Sequence, residues 1–381
     1  METKSVYFKN LDAIRFIGAM FVFLQHAFIP FSYQFKVENP ILSKFITFVT
    51  TGGIGVSLFF VLSGFLLTYL IITEVETTGK LNLKNFYIRR FLRIWPLYFA
   101  VVVLWFIIFN GVKSFFGFEF TNYSNIFMHL SFLSNFDLIK IHQSGQGIHG
   151  MFQNINWSVS IEEQFYLFWP LVFLLPKKFW LLLISGLLLF SIWFRVENAN
   201  VPYLNYLHTF SVLVDLVMGG LFAYATIYSK KIRKAFENTN TLSHTMLFIF
   251  TFLVLLFCVN LIFGIDGNPF SRVVSSFLFA SIIASQAFTK NKSILNLGNY
   301  RVPTYWGGLS YGIYLLHPVA IKILDLSCRK LNIDYRASFW SELIVACLVF
   351  ILTLLLSNLS YKFLESKFLR HKKQFQSIKS H

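Results

Sequence analysis

Charged residues are scarce in this sequence. They make up 13% of its 381 residues, whereas a soluble globular protein carries about 25%. Hydrophobic residues account for 56% of the chain and aromatic residues for 19%, and the mean hydropathy is +0.61. Several apolar runs reach the ~20 residues needed to span ~30 Å of hydrocarbon. The composition therefore excludes an ordinary soluble domain and predicts one all-α, polytopic membrane domain.

Cysteine is also sparse, with three residues in the whole chain. Cys258, Cys328 and Cys347 are far apart in the sequence, and two of them lie within apolar runs. This pattern argues against a disulfide framework and against a cysteine metal site. We expect buried, unreactive thiols and no bound metal.

Acidic residues are outnumbered, because 17 Asp and Glu stand against 33 Lys and Arg, which gives a net charge of +16. In a soluble protein this balance would suggest nucleic acid as a partner. Here the basic residues sit in the connections between apolar runs, and cytoplasmic loops of membrane proteins collect Lys and Arg. We therefore expect a lipid bilayer, and no nucleic acid, as the partner of this surface charge.

Ten apolar stretches are predicted to span the membrane: 12–31, 54–73, 91–110, 157–175, 179–196, 204–228, 244–263, 271–289, 305–323 and 338–361. The distribution of Lys and Arg places both termini in the cytoplasm, which agrees with an even number of spans. We divide the chain into a transmembrane domain at 1–365 and a short basic cytoplasmic tail at 366–381. The longest connection, 111–156, then faces outward, and its apolar stretch near 126–133 suits a surface or re-entrant helix.

The first span, "LDAIRFIGAMFVFLQHAF", carries ionisable groups that are costly in lipid. Arg15 and His26 are eleven residues apart, so they share one side of the helix at a separation of ~16 Å along its axis. Asp12 lies near the same face and can pair with Arg15. The pattern suits a salt bridge at the membrane rim plus a hydrogen-bonded core histidine. It also suits proton transfer by His26, since imidazole titrates near neutral pH.

An arginine cluster opens the third span in "RRFLRIWPLY". Arg90 and Arg93 are three residues apart and share a helix face, and Arg89 lies off that face. Two interpretations are open, because paired guanidinium groups can anchor a helix to lipid headgroups or bind a phosphate. In the second span, Ser63 and Gly64 are small enough to let a neighbouring helix or a ligand approach closely.

The fourth span begins with "WSVSIEEQFYLFWP". Trp157 and Ser158 lie at its outer end, and the adjacent carboxylates of Glu162 and Glu163 follow within about two turns. Since these carboxylates point about 100° apart, at least one of them faces the helix bundle. Three weaker signals suit either a site or the scaffold: Asp215, His208 and His317.

Taken in order, these stretches resemble the acyltransferase-3 family of integral membrane acyltransferases. The resemblance covers nearly the whole chain. It rests on "LDAIRFIGAMFVFLQHA", "FFVLSGFLLTYLI", "RRFLRIWPLY", "WSVSIEEQFYLFWP", "LSYGIYLLHP" and "FLESKFLR". It implies transfer of an acyl group, usually acetyl, from acyl-CoA on the cytoplasmic side to a hydroxyl group of a sugar or other acceptor.

The resemblance also implies roles for individual residues. His26 matches the catalytic histidine, and Glu162 matches the acidic residue of the tryptophan–serine–glutamate pattern. Arg90 and Arg93 match the acyl-CoA contacts, with Arg15 near them. The candidates for substrate binding are Trp157, Ser158 and Glu163. Acetyl-CoA or another acyl-CoA is expected as a donor substrate, with no permanently bound cofactor.

Some members of this family carry an additional extracytoplasmic hydrolase-like domain, for which this chain has no room. We therefore expect it to act alone or with a separate partner, as a multi-pass protein of the bacterial cytoplasmic membrane. A cell-envelope or exported polysaccharide is the expected acceptor. The sequence carries no signal for the oligomeric state.

Other functions are compatible with part of the pattern. A succinyl donor, or a lipid or small-molecule acceptor such as a macrolide, would need the same chemistry. A transporter or flippase for a glycan intermediate would also have ten spans and a few buried charges, but it has no evident need for the arginine pair or the tryptophan–serine–glutamate pattern. A purely structural scaffold would tolerate replacement of His26, Arg90 or Glu162.

Overall fold

The computed structural model describes residues 7–34, 40–109, 124–145, 155–263, 268–290 and 293–375. These residues form α-helices joined by short turns, and they include no β-strand. The first half contains α1 (Lys9–Gln34), α2 (Pro40–Val49), α3 (Gly52–Thr78), α4 (Leu83–Val103), α5 (Ile126–Leu130), α6 (Ser134–Gln143), α7 (Asn156–Val172) and α8 (Trp180–Glu197). A π-helical segment, Leu104–Phe109, continues α4.

The second half begins with two short helices around a long one and ends with a short helix at the C-terminal side. Its helices are α9 (Pro202–Leu207), α10 (Thr209–Tyr228), α11 (Lys230–Glu237), α12 (Thr241–Phe263), α13 (Ser271–Phe288), α14 (Arg301–Gly308), α15 (Ser310–Lys330), α16 (Phe339–Ser360) and α17 (Ser366–Lys372). A π-helical segment, Tyr361–Glu365, joins α16 to α17.

The predicted class, an all-α polytopic membrane protein, is confirmed, and every predicted span overlaps a helix. Among the described residues, seven helices are long and apolar enough to cross a membrane, or up to nine if two bent pairs each count as one span. These pairs are α11 with α12, bent by 94°, and α14 with α15, bent by 77°. Helix α7 has 17 residues, fewer than the ~20 that a span requires. The number ten and the cytoplasmic termini therefore stay predictions.

Helix α3 lies at the centre of the bundle, between α1 and α10. A Cβ atom on Gly64 would lie 1.8 Å from the carbonyl oxygen of Leu216 in α10, and one on Gly219 would lie 2.0 Å from that of Val61 in α3. Only glycine allows two backbones to approach so closely. The neighbour that the sequence anticipated at Gly64 is therefore a helix and not a ligand.

Two of the weaker sequence signals belong to the scaffold. Asp215 is fully buried and accepts two hydrogen bonds from Arg272 in α13, at 2.9 and 2.7 Å. His208 precedes α10, and its Nδ1 accepts the backbone N–H of Phe210 at 3.2 Å. The His208 ring also stacks on Phe194, with 4.6 Å between ring centres. Asp215 therefore joins α10 to α13, and His208 caps the N-terminus of α10.

The segment after α16 folds back onto α4. Helix α17 and the 3₁₀ turn Lys373–Phe375 both pack against α4. Arg89 donates a hydrogen bond to the backbone oxygen of Phe375 at 2.8 Å. The described part of the predicted tail therefore forms part of the bundle surface, although the domain boundary at 365 itself stays a prediction.

Candidate active site

A cavity of about 180 Å³ lies between α1, α3, α4, α7 and α15, with α17 at one end. Along α3 its lining extends from Glu74 to Val56, which at 1.5 Å per residue corresponds to a length of ~27 Å. Most of the lining is apolar or aromatic. Its ionisable side chains, apart from tyrosines, are Asp12, Arg15, Glu74, Arg89, Arg90, Arg93, Glu162 and Lys372.

Five cations gather at the end of the cavity that faces α17: Arg15, Arg89, Arg90, Arg93 and Lys372. We call this the cationic end. Arg15 forms an ion pair with Asp12, and Arg89 forms one with Glu74 at 2.9 Å. Throughout the described ranges, the other three cations make no ion pair with a carboxylate. Among the described residues, the cationic end therefore holds three cations without an ion-pair partner.

The Arg90 guanidinium lies over two aromatic rings, 5.7 Å from the centre of Phe86 and 5.3 Å from that of Tyr166. Such stacking fixes the plane of a guanidinium group without using its hydrogen-bond donors. The N–H groups of Arg90 are therefore available to an anion in the cavity.

Tyr7, which precedes α1, completes this end of the lining. Partial burial, followed by the hydrogen bond and charge of Asp12, raises the pKa of Tyr7 to about 12. The hydroxyl group is therefore protonated at neutral pH, and it donates a hydrogen bond of 2.7 Å to Asp12. It helps to hold the carboxylate that pairs with Arg15.

One face of α7 forms a wall of the cavity. Ser158, Glu162 and Tyr166 all line the cavity, because residues four apart lie one above another on a helix, ~6 Å per step. Ser63 of α3 donates a hydrogen bond to Glu162 Oε1 at 2.7 Å and accepts one from Tyr166 at 3.3 Å. Ser63 therefore holds the Glu162 carboxylate at the cavity wall, beside the Tyr166 hydroxyl group.

Two of the predicted substrate contacts lie outside the cavity lining. Glu163 points toward α4, where Trp95 donates a hydrogen bond to its Oε2 at 2.8 Å. Trp157 is buried against the rings of Phe60 and Tyr206, at 6.0 and 5.1 Å between ring centres. These positions make both residues part of the wall that supports the cavity.

Hydroxyl groups line the far end of the cavity. Ser158 and Tyr314 lie in hydrogen-bond contact, at 2.5 Å between oxygens. Tyr314 of α15 also donates a hydrogen bond of 3.1 Å to the backbone oxygen of Ile155. One turn further along α15 lies His317, which is 1% exposed. The cavity therefore ends one helical turn from a buried histidine.

His26 lies beside His317, just beyond the cavity lining. The distance between His317 Nε2 and His26 Nδ1 is 3.2 Å, and the ring centres are 5.0 Å apart. We call these two residues the histidine pair. It lies at the opposite end of the cavity from the cationic end, and His26 is its less buried member.

The structure thus brings together most of the residues that the sequence singled out. Five predicted residues line the cavity, namely Arg15, Arg90, Arg93, Ser158 and Glu162. His26 adjoins the cavity through its contact with His317. Two lining residues, Tyr314 and Lys372, were not predicted from the sequence. The spacing of Tyr314 three residues before His317 was a usable signal, whereas a lysine in a basic tail has no feature that distinguishes it from a solvated charge.

A family model described as an acyltransferase domain matches residues 8–362 of this chain. The chain is 28% identical over 344 residues to peptidoglycan O-acetyltransferase OatA of Listeria monocytogenes, an alignment that covers 83% of this chain and 51% of that protein. It is 26% identical over 346 residues to the putative peptidoglycan O-acetyltransferase YrhL of Bacillus subtilis, covering 82% and 50% respectively.

A putative O-acetyltransferase of Staphylococcus aureus is 26% identical over 388 residues, covering 96% of this chain and 58% of that protein. This chain therefore spans only about half the length of the curated relatives it matches. No solved structure matches it.

Proposed function

This chain belongs to the acyltransferase-3 family, and we propose that it is an O-acetyltransferase of the bacterial cytoplasmic membrane. In this proposal it moves an acetyl group from cytoplasmic acetyl-CoA to a hydroxyl group of a cell-envelope polysaccharide. The observation that carries the proposal is one continuous cavity. At one end lie three cations that make no ion pair among the described residues, and the histidine pair adjoins the other end.

The cationic end suits the nucleotide part of coenzyme A, which carries several phosphate charges. Arg90, Arg93 and Lys372 make no ion pair with a carboxylate of the described residues, and guanidinium groups bind phosphates through two parallel hydrogen bonds. Unpaired cations at this depth are costly, so an anion with more than one charge relieves an existing repulsion. A headgroup anchor would need these cations at the lipid face, yet they line the cavity.

The length and apolar lining of the cavity suit the rest of the donor. A thin, extended thioester arm can reach from the cationic end along α3 toward Ser158 and Tyr314, over ~27 Å of helix. Glu162 lies between the two ends, and its carboxylate can accept a hydrogen bond from the arm or from the acceptor. The reacting carbonyl group would then stop close to the histidine pair.

His26 is the base in the proposed chemistry. It removes the proton from the acceptor hydroxyl group while the oxygen attacks the thioester carbonyl carbon. A carbon–oxygen bond forms, the carbon–sulfur bond breaks, and His26 returns the proton to the leaving thiolate. In a second route, the imidazole first accepts the acetyl group and then passes it to the hydroxyl group. Both routes require an unprotonated ring nitrogen.

The polysaccharide acceptor is proposed from the names of the relatives, two of which are named for peptidoglycan O-acetylation. The predicted topology agrees with this, because it puts the cationic end at the cytoplasmic side and His26 in the outer half of the bilayer. An acceptor would therefore approach the histidine pair from outside the cell.

The experiment uses purified full-length protein in lipid nanodiscs, with radiolabelled acetyl-CoA and peptidoglycan fragments. We expect wild-type protein to transfer label. Replacing both arginines, Arg90→Ala with Arg93→Ala, should weaken acetyl-CoA binding at least 10-fold, because each charge-assisted hydrogen bond contributes about 1.5–3 kcal/mol. Replacing His26→Ala should leave acetyl-CoA binding nearly unchanged and reduce transfer by at least 100-fold.

Arg301→Ala is the matched control, since Arg301 is an exposed arginine outside the cavity lining. It should behave as wild type in both assays. If wild-type protein binds no acetyl-CoA, or if the arginine double variant binds it equally well, the proposal is wrong. Loss of glycan export with normal acetylation in cells that carry His26→Ala would instead favour a flippase.

A further inference from the structure

We propose that His317 is a positioning residue for His26. In this proposal His317 accepts a hydrogen bond from Nδ1 of His26 and, together with the Val22 carbonyl, keeps the other nitrogen, Nε2, unprotonated and aimed at the reacting groups. The catalytic role of His26 rests on the proposed function. The hydrogen bond between the two histidine rings rests on their geometry alone, and the experiments below test the role and the hydrogen bond separately.

The hydrogen bonds of the two rings assign their protons. His26 Nδ1 lies 2.9 Å from the backbone oxygen of Val22, and His317 Nδ1 lies 3.2 Å from that of Ile313. A carbonyl oxygen can only accept, so each Nδ1 carries a proton and donates. In a neutral imidazole the other nitrogen then has a lone pair, so Nε2 is the acceptor in both rings.

With these protons assigned, the contact between the two rings has one donor and one acceptor, as a hydrogen bond requires. The Nδ1–H of His26 is shared between the Val22 oxygen and the lone pair on His317 Nε2, which is 3.2 Å away. His26 Nε2 has no hydrogen-bond partner in the part of the chain that the structure describes. It is therefore the nitrogen left free to act as a base.

His317 is itself held rigidly. It is 1% exposed and packs edge-on against Phe23 and Tyr314, with 6.4 and 6.1 Å between ring centres. A partner that cannot rotate transfers its orientation to the ring it contacts. The fold therefore orders the His26 ring before any substrate binds.

A carboxylate is the usual partner of a catalytic histidine, and Glu162 is the acidic residue that the family resemblance implies for the site. In the structure Glu162 is bonded to Ser63 and makes no hydrogen bond with His26. A neutral imidazole has an advantage over a carboxylate here, because it accepts the same hydrogen bond without adding a charge to a low-dielectric site. His317 therefore takes the place that a carboxylate holds in other histidine-dependent enzymes.

Two variants separate positioning from packing. His317→Leu removes the acceptor, whereas His317→Gln can place an amide oxygen near the former position of Nε2. We expect His317→Leu to lower kcat about 10- to 100-fold, the usual effect of losing a group that orients an active-site histidine. The Kd for acetyl-CoA should change less than 2-fold. His317→Gln should recover most of the lost kcat.

The hydrogen bonding of the His26 ring gives a readout that needs no activity. The ring ¹⁵N chemical shifts of labelled protein, assigned with a His26→Ala spectrum, should show the Nδ1–H form in wild type. In His317→Leu the Nδ1 chemical shift should change, because only the Val22 oxygen still accepts the Nδ1 proton. An unchanged Nδ1 shift in His317→Leu overturns the positioning proposal, as does equal loss of kcat in the Leu and Gln variants. A wild-type protein that shows the tautomer but transfers no acetyl group instead refutes the proposed function alone.

Discussion

At the scale of single residues, Glu162 and Glu163 have different environments although they are neighbours. Successive residues of an α-helix point 100° apart, so the face of α7 that carries Ser158 and Tyr166 includes Glu162 and excludes Glu163. Glu162 faces the cavity, and Glu163 accepts a hydrogen bond from Trp95 in α4. The sequence required that one carboxylate face the interior, and the structure identifies which.

These two residues are each other's control. We expect Glu162→Gln to lower the rate of acetyl transfer about 100-fold, because it replaces one of the two acceptor oxygens in the middle of the described cavity lining with an N–H donor. Glu163→Gln should stay within about 3-fold of wild type, since the amide oxygen can still accept from Trp95. The measurement is kcat with acetyl-CoA in purified protein. Equal losses in the two variants would contradict the assignment.

At the scale of helices, the cavity depends on how closely α3 and α10 pack. A methyl group on Gly64 would meet the Leu216 carbonyl oxygen at 1.8 Å, and backbone cannot move aside as a flexible side chain can. Because Ser63 precedes Gly64 and holds Glu162, any separation of these helices also shifts the cavity wall. Packing and the site are therefore coupled at this position.

Gly64→Ala should destabilise the protein by about 1–3 kcal/mol, as overpacking of a tight interface does, and should lower activity. Gly186→Ala in α8 is the matched change, because a methyl group there would meet nothing within 4 Å. It should be neutral or slightly stabilising, since alanine favours helix. Thermal unfolding in detergent measures both variants. Similar melting temperatures would show that α3 and α10 do not pack as described.

Helix α17 contributes a cation to the cavity. It brings Lys372 into electrostatic range of Arg93, Arg90, Arg89 and Arg15. Nothing in the local sequence predicts this contact, because "FLRHKKQF" has the composition of a solvated basic tail. Packing of α17 on α4 converts a surface charge into part of the cationic end.

At the scale of the whole molecule, a buried ion pair ties the second half of the bundle together. Asp215 in α10 and Arg272 in α13 are 0% and 3% exposed, and Ser276 also donates to the Asp215 carboxylate. Removal of one partner from such a pair leaves an uncompensated charge in a low-dielectric interior. The pair lies outside the cavity lining. Its loss should therefore lower activity only by destabilising the folded protein.

Arg272→Met should therefore destabilise the protein by about 3–5 kcal/mol. The double variant Asp215→Leu with Arg272→Met should recover most of this loss, because it leaves neither member of the pair as a buried charge without its partner. The measurement is the melting temperature of each variant in the same detergent. Acetyl transfer by the folded double variant should be close to wild type, and a complete loss there would assign this pair to the chemistry instead.

The amino-acid sequence alone specifies the class of the fold and most of the site. Apolar runs long enough to span a bilayer leave few alternatives to a helix, and helical periodicity groups Arg90 with Arg93 and separates Glu162 from Glu163. Ionisable groups are costly in such runs, and this cost is sufficient to single out His26 and Arg15 as well as Glu162.

Which helices meet depends on tertiary packing. The contact between His26 and His317 joins residues 291 positions apart, and the approach of Lys372 to the arginines joins the end of the chain to its third long helix. Periodicity reports the direction of a side chain about its own helix axis, but it carries no information about the neighbour on that side. Packing of α15 on α1 and of α17 on α4 supplies those neighbours.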